Sequence, residues 1–293
     1  MKNAIIILNY NDYKTTEKLV DKVKTYKDID YIVIVDNCST DQSFNILKDK
    51  YSNIDKIDII KNDKNNGYAS GNNFGIKYAI NKYSIEYFFV ANPDIMFEEK
   101  IIEKIERKLI EDPNVGIVAP KVSKGYNSWK LPTYIKTITS MFLWLNKKRG
   151  NEVYKNQSEE INYADVIAGS FFAMTVKTYE QIKGLDEDTF LYYEENILGY
   201  KIKNIEKKNV ILGNITYDHN HATSIKKTYK SKIVPFLIMV KSVRIYNKKY
   251  LKIGVIKQSI FNIFFIFALI ERYIYDFYLK IKLKDDNNDN LRL

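Results

Sequence analysis

The 293-residue chain is poor in the side chains that most often build metal centres and covalent cross-links: one cysteine, Cys38, and two histidines, His219 and His221. A lone thiol excludes an intrachain disulfide and a cysteine-rich zinc site, and it fits a reducing compartment. Long apolar runs are also missing. The richest stretch, residues 260–270, falls short of the ~20 residues needed to cross a bilayer, and Glu271, Arg272 and Asp276 then interrupt it. The N-terminal MKNAIIILNYND has neither the long apolar region nor the small-residue cleavage site of a secretory signal, so it reads as a first strand. There are no internal repeats, and no low-complexity segment beyond the Asp/Asn-rich 285–290.

What is present allows a large core: 45% of residues are hydrophobic and 14% aromatic, which excludes wholesale disorder. The length suits one large domain, or one domain and an appendage. The formal charge of +10 is unevenly placed. Residues 225–284 carry 14 Lys or Arg against Glu271 and Asp276, a net +12 that leaves the rest mildly acidic. Such a block calls for an anionic partner, nucleic acid or a phospholipid surface.

Short β-branched or aromatic runs at 4–8, 31–35, 56–60, 87–90 and 115–119 read as buried strands. Helical patterns at 15–26, 41–50, 72–81 and 98–111 lie between them, with Asp41 suited to an N-cap and Pro113 stopping the last. That alternation predicts an α/β fold whose central sheet is mostly parallel and flanked by helices, with ligands at the carboxyl ends of the strands. Further on, 134–145 suggests a loop and short helix. Residues 164–176 suggest two strands joined at Gly169-Ser170, followed by a helix at about 195–207 and a strand at about 210–217.

Four consecutive strands end in acids, amides or glycine. These ends are Asn9-Tyr10-Asn11-Asp12, Asp36-Asn37-Cys38-Ser39-Thr40-Asp41, Lys61–Gly67 and Asn92-Pro93-Asp94. Asp36 suits either the start of the next helix or hydrogen bonding to a nucleotide's base or ribose. Gly67 and Gly71, just before a helix, would let a backbone approach a phosphate, but they match neither the dinucleotide fingerprint nor the P-loop. Asp94 is either turn punctuation or a ligand for Mg2+ or Mn2+, cations that favour oxygen donors and substrate phosphates. His219 and His221, two residues apart near the end of a strand, are either loop residues or ligands. Glu194 and Glu195 follow the aromatic run Phe190-Leu191-Tyr192-Tyr193. They read as first-turn acids or as a general base, with the helix N-terminus lowering their pKa and the aromatic surroundings raising it.

In order and spacing these pieces resemble the family 2 glycosyltransferases, in particular bacterial rhamnosyl- and galactosyltransferase-like enzymes of surface polysaccharide synthesis. The residues that carry the resemblance are Ile7–Asn11, Val35–Asp41, Asn66–Asn73, Asn92–Asp94, Gly169-Ser170, Gly184–Glu187, Phe190–Glu195 and His219–Ser224. It implies a GT-A fold over residues 1–225, a UDP- or dTDP-sugar donor, Mg2+ or Mn2+, and inversion at the anomeric carbon. The acceptor would be a glycan or a polyprenyl-diphosphate-linked glycan. Donor binding would fall to Asn9, Asn11, Asp36, Asn65, Gly67, Gly71, Asn72, Asn92 and Asp94. Metal would be held by Asp94 with His219 or His221, and the base would be Glu195 or Glu194. Two departures stand out: Cys38 where the family usually has glycine, and Tyr-Tyr-Glu-Glu-Asn-Ile-Leu in place of Tyr-Tyr-Glu-Asp-x-Asp-Leu. The second lengthens one aspartate to Glu195 and replaces the other with Ile197. Rival readings are another nucleotide-binding α/β enzyme such as a nucleotidyltransferase, or a catalytically degenerate binding protein.

Residues 226–284 read as two helical segments broken near 247–254, followed by a polar tail at 285–293. Lys and Arg beside Phe, Ile and Tyr suit a helix lying among lipid headgroups, which implies a cytoplasmic protein peripheral on the inner membrane face. The competing reading is a core-packing or dimerising helix pair, giving a homodimer. Nucleic acid is disfavoured, because the basic block is rich in aliphatics and carries no recognised nucleic-acid motif.

Overall fold

A computed structural model describes residues 1–145, 160–220 and 233–289, with side chains through Tyr278. Among these, the chain divides into two compact units: residues 1–131 with 160–220, and residues 132–145 with 233–289.

The first unit opens with the expected alternation: β1 (Asn3–Asn9), α1 (Tyr13–Val23), β2 (Tyr31–Asp36), α2 (Ser43–Tyr51), β3 (Ile57–Lys61), α3 (Tyr68–Tyr83), β4 (Tyr87–Ala91), β5 (Ile95–Met96), α4 (Lys100–Glu111) and β6 (Val115–Val122). It closes with β7 (Ser128–Trp129), β8 (Ile161–Ala164), β9 (Val166–Ile167), β10 (Phe171–Thr175), a helix at Val176–Gln181, another at Glu194–Asn204, and β11 (Lys208–His219). One nine-stranded sheet runs β3-β2-β1-β4-β10-β6-β11-β5, with β8 added beside β11. The pairs β3/β2, β2/β1, β1/β4 and β6/β11 are parallel, while β10, β5 and β8 run against their neighbours. Strand order reverses at β1, with β2 on one side and β4 on the other. The edge beyond Asn9, Asp36 and Ala91 is thus the position where doubly wound sheets hold ligands.

The strands read as continuous apolar runs because both sheet faces are covered. Ile5, Ile7, Ile32, Ile34 and Phe89 face a layer with Leu19, Leu47, Ile102 and Ile105 from the helices. Their neighbours Ala4, Ile6, Val33, Val35 and Phe88 face the other layer, with Ala69, Ile76, Ala79 and Ile202. Period-two alternation assigns every residue its layer.

The two strands expected around Gly169-Ser170 are present and part company there: β9 pairs with β7 in a separate ribbon, and β10 enters the main sheet between β4 and β6. The starts of the second and third helices differ from expectation. The third helix starts at Tyr68, a turn before Asn72, because Gly67 at φ 100° makes the sharp entry. The second helix starts at Ser43 with Gln42 at its N-cap, so Asp41 lies one residue before the cap, where its Oδ1 accepts from the Ser43 N–H at 2.9 Å.

The second unit contains α5 (Tyr134–Thr139) and, after the first unit's helices α6 (Val176–Gln181) and α7 (Glu194–Asn204), α8 (Ile233–Ile245), a π turn at Tyr246–Tyr250 and the long α9 (Val255–Asp289). Its interior is held by directional contacts. Tyr246 donates to Pro132 O at 3.1 Å and Asn247 to Thr137 Oγ1 at 3.1 Å. The Glu271 carboxylate accepts from the N–H groups of Leu143 and Trp144, and the Arg272 guanidinium lies 3.7 Å from the Phe236 ring centre. No helix among the described residues is long and apolar enough to cross a membrane.

Phe89 is fully buried and packs on Tyr87 and Phe171. Phe89→Ala is expected to cost about 3–5 kcal/mol, read as a lower denaturant midpoint with an unchanged slope.

Candidate active site

The ends of β1 and β2 are tied together by Asp36. β1 and β2 are in register at Asn9 and Asp36. The buried Asp36 carboxylate accepts from Asn9 Nδ2 at 3.0 Å and from the Ser39 N–H at 2.9 Å. Asn9 Oδ1 accepts from the Thr16 hydroxyl at 2.8 Å, so both its polar atoms are engaged. Asn11, exposed and at φ 51°, accepts from the Thr40 N–H. These residues stand at the carboxyl edge and shape the loop after β2. Cys38 sits there at φ 62°, a backbone state that costs about 1–2 kcal/mol for a residue with a Cβ. This is the conformation that glycine would take freely.

The loop after β3 is fastened next. Asn37 donates to Asn65 Oδ1 at 2.9 Å, and Asn65 Oδ1 also accepts from the Gly67 N–H at 3.1 Å. A Cβ on Gly67 would lie 2.1 Å from Phe190 O, and the Tyr68 N–H donates to that same oxygen at 2.9 Å. A Cβ on Gly71 would meet Leu8 at 2.5 Å. Both glycines thus bring α3 hard against the sheet and the 190 loop. Asn72 is buried and donates to Tyr68 O in its own helix, and its Oδ1 has no partner.

Asp94 and His219 meet through strand pairing. The two-residue β5, immediately after Asn92-Pro93-Asp94, runs antiparallel to the end of β11, setting Ile95 opposite His219. His219 Nε2 then lies 3.2 Å from Asp94 Oδ1, with both side chains largely buried. The Asn92 N–H donates to Ser170 O at 2.8 Å, and the Ser170 hydroxyl shares a 2.8 Å hydrogen bond with Tyr217. The Tyr217 ring in turn stacks on His219. His221 lies outside the described residues.

The acid pair sits on the other side of the Gly169-Ser170 turn. Tyr192 and Tyr193 both take positive φ, 68° and 67°, and that reversal starts α7 at Glu194. Burial, then the Glu195 charge beside it, pushes Glu194 well above the ordinary carboxylate range, and its Oε2 is enclosed without a partner. Burial also raises Glu195, opposed by hydrogen bonds from its own N–H and that of Gly169. The helix terminus and the apolar surroundings pull in opposite directions here, and desolvation wins. Tyr68 completes the wall: its hydroxyl donates to Gly169 O at 2.5 Å, and burial together with the nearby acids raises its pKa. Ile197, where the family has aspartate, is fully buried.

Sequence reasoning assigned no role to Asn73, Tyr68, Ser170 or Tyr217. Buried Asn73 clamps the turn before the acids: its Oδ1 accepts from the Leu185 N–H and the Tyr179 hydroxyl, while its Nδ2 donates to Leu185 O and Glu187. Only Tyr217 carried a usable signal, since it stands two residues before His219 and shares its strand face.

Because the folded pKa of Glu194 lies above the ordinary 4.5, its contribution to stability is full below that pH and is lost as pH rises through the folded value. Glu194→Gln, which cannot ionise, is expected to raise the melting temperature at pH 8 and to leave it nearly unchanged at pH 4, as read by calorimetry. Gly67→Ala, pressed against Phe190 O, is expected to lower it at both.

Residues 4–177 match the family described as Glycosyl transferase family 2. A low-salt glycan biosynthesis hexosyltransferase of Haloferax volcanii is 26% identical over 212 residues, 72% of this chain and 63% of its own length. A dTDP-rhamnosyl transferase of Shigella flexneri is 24% identical over 191 residues, 64% of this chain and 58% of its own. The chain thus spans about three fifths of the length of these curated relatives. Among solved structures, GalNAc-T7 with UDP, GalNAc and Mn2+ superposes with a TM-score of 0.58 at 13% identity, over 75% of this chain and 44% of that one. S. aureus TarS 1–349 superposes at 0.52 and 15%, over 93% and 81%. These likenesses show a GT-A fold, and with more than half of its residues matched the chain belongs to glycosyltransferase family 2.

Proposed function

We propose that the chain transfers a sugar, with inversion, from a UDP- or dTDP-sugar to a hydroxyl of a glycan or lipid-linked glycan in surface polysaccharide synthesis. The observation that carries this reading is the pairing of two half-sites across one turn. A buried acid pair lies on one side of Gly169-Ser170, and the Asp94–His219 couple lies on the other, at the carboxyl edge of the parallel strands.

Within the pair, the two carboxyls titrate as a unit. Glu195 is the better anion, because two backbone N–H groups favour its charge against one for Glu194, whose Oε2 has no partner. On this ground Glu195 is assigned as the base, with Glu194, raised by burial and by its neighbour's charge, beside it. A carboxylate with a raised pKa is well matched to taking a proton from an attacking hydroxyl.

Asp94 and His219 supply one oxygen and one nitrogen donor 3.2 Å apart, and among the described residues no group of three His, Cys, Asp or Glu is placed to hold an ion. That donor set fits Mn2+ or Mg2+ bound by few protein groups, with the donor diphosphate and water filling the remaining positions. Such an ion, when bound, supplies Lewis-acid neutralisation of the departing nucleoside diphosphate. Asn92, anchored to Ser170, positions Asp94, and Asn9, Asp36 and Asn65 hold the loops against which the nucleoside would lie.

Nucleotide release measured with UDP- and dTDP-sugars tests this reading. Asp94→Ala is expected to lower turnover about 100-fold or more. Glu195→Gln is expected to lower kcat by about 10²–10⁴-fold while donor affinity, by titration calorimetry, is kept. Full turnover in both variants would overturn the assignment.

A further inference from the structure

The longest helix of the chain leaves most of one face bare. On α9, Ile256, Ile260, Ile263, Phe267, Ile270 and Ile274 are all exposed, Ile256 at 79% and Phe267 at 57%, and the row continues to Phe277. The spacing alternates four and three, so these side chains line one stripe about 30 Å long along the helix. The stripe is broad: Phe264, Ile266, Tyr273 and Tyr278, beside it, are exposed as well. The opposite face is already occupied within its own unit, where Phe261 and Ala268 are fully buried and Phe265 stacks on Phe236. A contiguous apolar surface of this extent marks an interaction site.

Charge decides the occupant. The segment that carries this helix, residues 225–284, has a net +12. Lys241, Lys248, Lys249, Lys252 and Lys257 are exposed on α8, the π turn, the connection and the first turn of α9. One of its two acids, Glu271, is engaged by the N–H groups of Leu143 and Trp144. A second copy would bring a like charge against this one. Of the positions flanking the stripe, where a coiled coil carries the opposite charges that set its register, Ser259, Phe264, Ile266, Tyr273 and Tyr278 are uncharged, and of the two charged ones, Lys257 and Glu271, the acid is already engaged within its own unit. An anionic lipid surface satisfies both features: acyl chains take the apolar stripe, and lipid phosphates take the lysines. Tyrosines along the helix sit naturally at headgroup level. No described helix is long and apolar enough to cross the bilayer, and α9 would lie in its plane.

We propose that α9 is an in-plane anchor for an anionic phospholipid bilayer, with its Ile/Phe stripe seated at the acyl boundary and the lysines of 241–257 on the headgroups. This surface is independent of the sugar-transfer site and survives any reassignment of that chemistry.

The test is flotation of the full chain with phosphatidylcholine vesicles, with or without phosphatidylglycerol, at low and high salt. Binding is expected to the anionic vesicles and to weaken with salt. Lys252→Ala with Lys257→Ala is expected to weaken it by about fivefold per lysine. Ile263→Asp with Phe267→Asp, both at exposed positions, is expected to abolish flotation with far-UV helicity unchanged. Phe267→Trp is expected to be quenched by brominated acyl chains in anionic vesicles. Absence of flotation, or absence of quenching at Trp introduced there, would overturn the proposal. So would a dimer by light scattering that dissociates on Ile263→Asp with Phe267→Asp, which would give the stripe to a second copy.

Discussion

Burial of both faces of a largely parallel sheet is the constraint from which the rest of the first unit follows. Side chains of β1, β2 and β4 alternate between two apolar layers, so no polar group can leave the sheet sideways without facing hydrocarbon. Polar chemistry is confined to strand ends. The reversal of strand order at β1 then makes that edge the place where such sheets receive ligands. Asn9, Asp36 and Asp94 occupy that edge because the two layers leave them no other place.

The Gly169-Ser170 turn is the joint that makes one site from separate segments. Its backbone receives Tyr68 from α3, Asn92 from the end of β4 and Glu195 from α7. The Ser170 hydroxyl reaches Tyr217 and so the face of His219. Packing is close there: a Cβ on Gly169 would lie 3.2 Å from the Tyr68 hydroxyl and 3.4 Å from Glu195. Crowding of this kind also desolvates the acids, so the geometry that gathers the groups is the same geometry that raises their pKa.

The second unit follows different physics. It buries one flank of α9 with aromatic stacking and guanidinium–ring contacts, and exposes the other flank beside a dense positive charge. A helix that hides only half of its apolar surface is incomplete as a globular element, and excess positive charge makes self-association a costly way to complete it.

Local pattern alone determined much of this protein. The β-branched runs and the helices between them, the acids and amides at Asn9, Asp36 and Asn92–Asp94, and the break after Tyr246–Tyr250 were all legible, because each depends on residues within a few positions of one another. Ordered motifs such as Asn66–Asn73 and Phe190–Glu195 also made the family legible. Tertiary structure alone decided that β10 leaves Gly169 to join β4 and β6, that β5 carries Asp94 to His219, and that Asn73 clamps the turn before the acids. It also decided the competition at Glu194 and Glu195, where a helix terminus and an apolar enclosure oppose each other. Periodicity tells a strand which way its side chains point but not which neighbour it will pair with. The pKa of a carboxylate depends on every atom that excludes water from it, most of them distant in sequence.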